Sequence, residues 1–341
     1  FALRGDWRDV VPCATPTPGG FCGSCGRQLQ HHAGVQCERC GGHAYFGLLL
    51  YRLVVRAHLQ VTAGRQLRPL WFSAALLMIF VQAGAAENCK PTWADEFSDS
   101  LNTDIWNIIE GDGCAEGLCG WGDNEVQWYA PDAVAVEDGM LRLSAFTDDQ
   151  SRIRSGKLTT AGKFSVQYGL IEARMRVPAG RGLWPAFWMM PEDKQLRWPL
   201  EGEIDILEWT GNEPHRIIGA IHFGDLPPGN VHYSQTLRSP SKWSEAFHTF
   251  GVEWSPQRIT WYVDGRAHGV ATPTETAPWP WVFDDKRFHL IFNVAVGGTL
   301  GGEVSPEDLS ATLDIDWVRV YPRNCSPTRF TAPFAEAASG E

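Results

Sequence analysis

Three carboxylates, Glu203, Asp205 and Glu208, fall in the stretch Leu200-Glu-Gly-Glu-Ile-Asp-Ile-Leu-Glu-Trp209. Like charges at this spacing repel and raise one another's pKa. A catalytic carboxylate pair exploits that repulsion. The alternative is a solvated acidic face on an edge strand. That alternative suits Glu201, but it does not explain why Ile alternates with acids in a Trp-rich segment.

The Ile-rich alternation reads as a β-strand, in which residues two apart share a face. Glu203 and Asp205 then point the same way. Strict alternation sends Glu208 to the opposite face. One β-bulge between Asp205 and Glu208 restores it, because the extra residue re-aims the side chains beyond it.

The rest of the chain has to build a frame for that strand. Its 341 residues are 44% hydrophobic and include 35 Gly and 22 Pro, with few apolar runs of helical period. That balance predicts an all-β fold with many turns. Residues 1–86 carry 8 Lys and Arg against 3 Asp and Glu, a net of +5, which leaves −16 on the remainder of a chain of net −11. An acidic body excludes nucleic acid and other polyanions as ligands. A neutral polymer such as a polysaccharide fits acids set among 16 Trp.

Residues 1–65 form a Cys-rich segment. Cys22, Cys25, Cys37 and Cys40 make two Cys-x-x-Cys pairs with spacing suited to one tetrahedral zinc ion in a small ribbon. Residues 66–86 hold an apolar run behind Arg65 and Arg68 and end in small residues. They read as a signal peptide, with a membrane anchor as the alternative. The chain opens on Phe1 and has no Met before Met78, which reads as a fragment or an extended reading frame. Export makes the protein secreted or periplasmic and favours disulfides among Cys89, Cys114, Cys119 and Cys325. The expected pairs are Cys114 with Cys119 and Cys89 with Cys325.

Residues 87–325 read as strand after strand, followed by a loose tail at 326–341. Hairpins are expected around Asp138-Gly139 and Asp264-Gly265, and longer strands over 164–177, 288–296 and 313–321. One β-sandwich or barrel accommodates them.

With these pieces placed, residues 93–322 resemble glycoside hydrolase family 16, near its laminarinase-like branch. The motifs are Trp93-Ala-Asp-Glu-Phe97, Gly120-Trp-Gly-Asp-Asn-Glu-Val-Gln127, Gly182-Leu-Trp-Pro-Ala-Phe-Trp188, Gly202-Glu-Ile-Asp-Ile-Leu-Glu208, Trp261-Tyr-Val-Asp-Gly265 and Asp316-Trp-Val-Arg-Val-Tyr321. The resemblance implies a β-jelly-roll sandwich with a concave substrate cleft. It implies retaining hydrolysis of a β-1,3-glucan of laminarin type by an endo-β-1,3-glucanase-like enzyme. Glu203 would be nucleophile, Glu208 acid/base, and Asp205 the group that orients Glu203. Asn124, Glu125, Trp184, Trp188, Trp198, His222 and Asn293 match cleft positions. Trp184 and Trp198 read as loop-borne sugar platforms, and Trp188 reads as a core residue. Glu96, the Gly139 carbonyl and Asp316 match a structural calcium site. No cofactor is expected for catalysis, and a monomer is expected. Thr299–Val304 departs from the family pattern, which often has a Trp-Pro pair there. Alternatives on the same fold are an enzyme for mixed-linkage glucan, agarose or another galactan, and a non-catalytic β-glucan-binding protein.

Overall fold

The computed structural model describes residues 89–192 and 197–323. The cysteines at 22, 25, 37 and 40, the segment 66–86, Cys325 and the tail 326–341 lie outside the described residues. No helix among the described residues is long and apolar enough to cross a membrane.

In chain order the strands are β1 (Trp93–Asp95), β2 (Asn107–Ile108), β3 (Trp128–Tyr129), β4 (Val134–Glu137), β5 (Met140–Thr147), β6 (Ile153–Ser155), β7 (Lys157–Thr159), β8 (Gly169–Arg176), β9 (Leu183–Pro191), β10 (Glu203–Trp209), β11 (Arg216–Gly224), β12 (Asn230–Arg238), β13 (His248–Ser255), β14 (Arg258–Val263), β15 (Arg266–Ala271), β16 (Phe288–Val296) and β17 (Ala311–Tyr321). Seven of them form one sheet in the order β12-β11-β10-β9-β16-β7-β2. The other ten form the second sheet, along the path β15-β14-β13-β8-β17-β5-β6-β3, with β1 on β17 and β4 on β5. The two sheets make the expected β-jelly-roll sandwich, and β10, which carries the three carboxylates, lies inside the seven-stranded layer.

Local chemistry accounts for much of this. Asp138 and Gly139 both take positive φ, at 53° and 72°, and Asp264 and Gly265 do the same at 49° and 73°. Such turns match the twist of paired strands, and they close the β4–β5 and β14–β15 hairpins. The strand expected over 164–177 is shorter than its alternation suggests. Tyr168 and Gly169 have φ of 66° and 122°, which breaks the extended backbone, so β8 begins at Gly169.

The core lies between the layers. Trp209, Trp254, Trp261, Phe187 and Phe292 are fully buried there, with Phe187 and Phe292 stacked at 4.4 Å. β16 is buried along its whole length, which makes it a central strand that supports β9 and, through β9, β10.

Candidate active site

β10 is no solvated edge. It pairs with β9 on one side and β11 on the other, and Glu201 just before it is buried. Against β11 the register runs Glu203↔His222, Asp205↔Ala220, then Glu208↔Ile218, so three steps on β10 match two on β11. Against β9, Asp205 faces Trp188 and Leu207 already faces Phe187. Ile206 is therefore the extra residue of a β-bulge. Ile204, Leu207 and Trp209 enter the core, while Glu203, Asp205 and Glu208 share the outer face.

Each glutamate receives an indole N–H. Trp198 Nε1 donates to Glu203 Oε2 at 2.7 Å, and Trp184 Nε1 donates to Glu208 Oε1 at 3.2 Å. His222 Nε2 lies 3.2 Å from Asp205 Oδ2 and 3.9 Å from Glu203 Oε1. His222 thus sits within ion-pair reach of Asp205 and beside Glu203.

Burial dominates the protonation of both glutamates. Removal from water and then the charge of Asp205 push Glu203 and Glu208 each up to about 8, against the pull of His222 and the indole donors. Burial would lower His222, but its contact with Asp205 and the surrounding carboxylates push it up to about 10. Burial alone therefore does not separate the two glutamates. They differ in their donors: Glu203 has the shorter hydrogen bond and lies beside His222.

β9 and β16 extend the floor. Trp184, Ala186, Trp188 and Met190 alternate onto the outer face of β9, and Pro185, Phe187 and Met189 pack inward. Trp184 is thus a strand residue and not a loop platform. Pro185 is tolerated because pairing with β10 ends at Ala186, which leaves it beyond that ladder. Trp188 is only half-buried and belongs to the cleft face, where its Nε1 donates to Asn293 Oδ1 at 2.7 Å. Trp198 stands on the rim outside the strands, 37% exposed, as expected of a loop-borne ring.

A scan against protein-family models matches glycosyl hydrolases family 16 over residues 122–319. The chain belongs to that family. Among curated relatives, the glucan endo-1,3-β-glucosidase of Cryptopygus antarcticus is 34% identical over 256 residues, covering 68% of this chain and 92% of its own. Glucan endo-1,3-β-glucosidase A1 of Niallia circulans is 35% identical over 258 residues, covering 67% of this chain but 37% of its own. The laminarinase catalytic domain from Thermotoga maritima is similar as a solved structure. It is 35% identical with a TM-score of 0.63, over 69% of this chain and all but 1% of its own, the overlap there being 99%.

This family 16 hydrolase has a polar network that motif reading only touched. Glu125 Oε2 accepts hydrogen bonds from Gln127 Nε2 and, at 3.0 Å, from Tyr129 Oη. Tyr129 Oη in turn accepts from Asn293 Nδ2 at 3.1 Å, which links the network to Trp188. Burial raises Glu125, and the charge of Lys157 opposes it. Lys157 itself lies 4.0 Å above the Trp121 ring. Asn124 is exposed at a positive φ of 60° and serves the turn that presents Glu125. Gln127, Tyr129, Lys157 and Trp121 were not singled out from sequence. Trp121 and Gln127 lie inside the Gly120–Gln127 motif and Tyr129 just beyond it, whereas Lys157 carries no motif signal.

The segment that departs from the family pattern, Thr299–Val304, begins in a short helical turn, Gly298–Gly301, anchored by Thr299 Oγ1 on Asp123 Oδ1 at 3.0 Å. Asp123 is another residue that sequence reading missed, and its charge reaches Glu208. The Cys114–Cys119 disulfide is present as expected. Cys89 is also disulfide-bonded.

On the opposite sheet, β1 and β5 meet the same side of β17, which brings Glu96 and the Gly139 turn to the level of Trp317, beside Asp316. Two carboxylates and a carbonyl suit calcium in kind. Both Glu96 oxygens accept from Arg319 at 2.8 Å, and Asp316 Oδ2 accepts from Arg174 at 2.5 Å. An ion here must share those oxygens with arginine.

Proposed function

We propose that the protein is a secreted, retaining hydrolase of β-1,3-glucan that works by double displacement. The observation that carries this reading is the bulged strand β10, which sets Glu203 and Glu208 on one face with Asp205 between them. A retaining glycosidase needs one charged and one protonated carboxyl about 5–5.5 Å apart. Glu203, with its indole donor and His222, attacks the anomeric carbon. Glu208 gives its proton to the leaving glycosidic oxygen. Esterification then removes the charge on Glu203, the pKa of Glu208 falls, and Glu208 takes a proton from the incoming water.

The choice of β-1,3-glucan draws on the printed activities of the similar proteins and on the indoles of Trp184, Trp188 and Trp198 along the cleft. Aromatic faces hold sugar rings without needing charge. Calcium, bound by Glu96, Asp316 and the Gly139 carbonyl, is a structural ligand in this reading and has no part in the chemistry, because the three lie on the sheet that does not carry the acids. The working unit is a monomer.

Proton NMR of laminarin hydrolysis tests the reaction. Release of the β-anomer first is the expected result, and α-anomer first would replace the covalent intermediate with direct attack by water. A product profile on laminarin, lichenan and agarose tests the substrate. Cleavage of agarose without laminarin would overturn the substrate and leave the fold intact.

A further inference from the structure

A strand in a regular ladder points its carbonyls along the sheet at its neighbours. Asp205 stands where β10 loses that regularity against both β9 and β11. Its backbone oxygen receives the indole N–H of Trp261 at 2.7 Å. Trp261 belongs to β14, in the facing sheet, and is 0% exposed. One side chain thus crosses the core and reaches the back of the catalytic strand at the residue that opens its bulge.

The neighbouring strand is cut away to admit that ring. Ile217, Gly219 and Ile221 alternate onto the core side of β11. A Cβ on Gly219 would stand 2.3 Å from Trp261 Cδ1 and 2.4 Å from its Nε1. Gly219 therefore supplies space, the role of a glycine where another group approaches a strand closely. At the other end, β14 shifts its register against β15 between Trp261 and Tyr262. Both sheets are irregular where this one hydrogen bond joins them.

We propose that Trp261 is a positioning residue for glycoside hydrolysis: its N–H holds the Asp205 carbonyl in the bulged setting that keeps Glu208 on the face of Glu203. Trp261 touches no substrate. Without that donor the strand is free to relax toward regular alternation, and a one-residue change of register turns side chains to the opposite face. Glu208, downstream of the bulge, is displaced more than Glu203, upstream of it. The inference rests on Glu203 and Glu208 being the reacting pair.

The test replaces Trp261 in the full chain by Phe and, separately, by 3-benzothienylalanine, which keeps the bicyclic shape but carries sulfur in place of N–H. The isostere decides the question if W261F fails to fold. On laminarin, kcat should fall roughly 10–100-fold, the range expected when a reacting group shifts by about an ångström, with KM little changed. An aryl β-glucoside with a good leaving group should lose much less in kcat/KM, which reports the first step, because that step needs little protonation. The alkaline limb of the pH profile, set by Glu208, should move while the acid limb stays. A folded isostere with wild-type kcat and an unmoved alkaline limb would overturn the proposal. So would an equal loss on both substrates with no pH shift, which marks a merely structural role. E203A and E208A are measured alongside. If either keeps wild-type activity, the assignment of the reacting pair has failed; if both are inactive and the isostere is unchanged, only the role of Trp261 has.

Discussion

Trp198, on a loop at the rim of the cleft, donates its indole N–H to Glu203 Oε2 at 2.7 Å, while its ring stays 37% exposed. That bond favours the charged form of Glu203 and opposes the upward push of burial. Trp198→Phe keeps an aromatic face and removes the donor. The acid limb of kcat/KM should move to higher pH, because Glu203 then gives up its proton less readily. An acid limb identical to wild type would show that the indole serves sugar alone.

His222 lowers Glu203 and Glu208 together, since its charge lies among three carboxylates. His222→Asn removes that charge. Both limbs of the pH profile should shift upward, by about 1–3 pH units if the whole effect of a nearby opposite charge is lost. A profile that does not move would mean that His222 is neutral in the working enzyme.

Burial of the two glutamates also bears on stability. Their folded pKa values of about 8 stand above the ordinary 4.5, so the native state holds extra protons between those limits. The stabilisation tied to those protons is complete below about 4.5 and is lost as pH rises through about 8. Glu208→Gln removes one titrating group at nearly constant shape. It should melt several degrees above wild type at pH 9, with the gap closing toward pH 4. Equal melting temperatures throughout would place the proton elsewhere.

Replacing the glutamates should separate their roles. Glu203→Ala should lose activity by orders of magnitude, and azide entering the vacated space should restore part of it. Glu208→Ala should cost roughly 10²–10⁴-fold on laminarin, the usual range for lost acid–base help, and far less in the first step on activated aryl glucosides. Azide rescue of the Glu208 variant alone would exchange the two roles.

Calcium should raise the melting temperature and leave kcat unchanged, and Glu96→Gln should abolish the rise. Because Arg319 already grips both oxygens of Glu96, the rise should be steeper in an Arg319→Met variant. A melting temperature indifferent to both calcium and chelator would remove the ion from the account.

The sequence by itself determined what depends on near neighbours. Alternation marks β10, Asp-Gly pairs mark the β4–β5 and β14–β15 turns, and the spacing of Glu203, Asp205 and Glu208 demands a bulge if all three are to share a face. Each of these follows from backbone sterics over a few residues. Tertiary structure decided what depends on groups far apart in the chain. Trp188 meets Asn293 across 105 residues, and Trp261 meets Asp205 across 56, from the opposite sheet. Trp184, read as a loop residue beside Gly182 and Pro185, became a strand residue because β16 pairs along all of β9 and β10 stops short of Pro185. Nor could local spacing rank Glu203 against Glu208. Burial raises both, against the pull of indoles and an imidazole that only the folded sandwich brings to them.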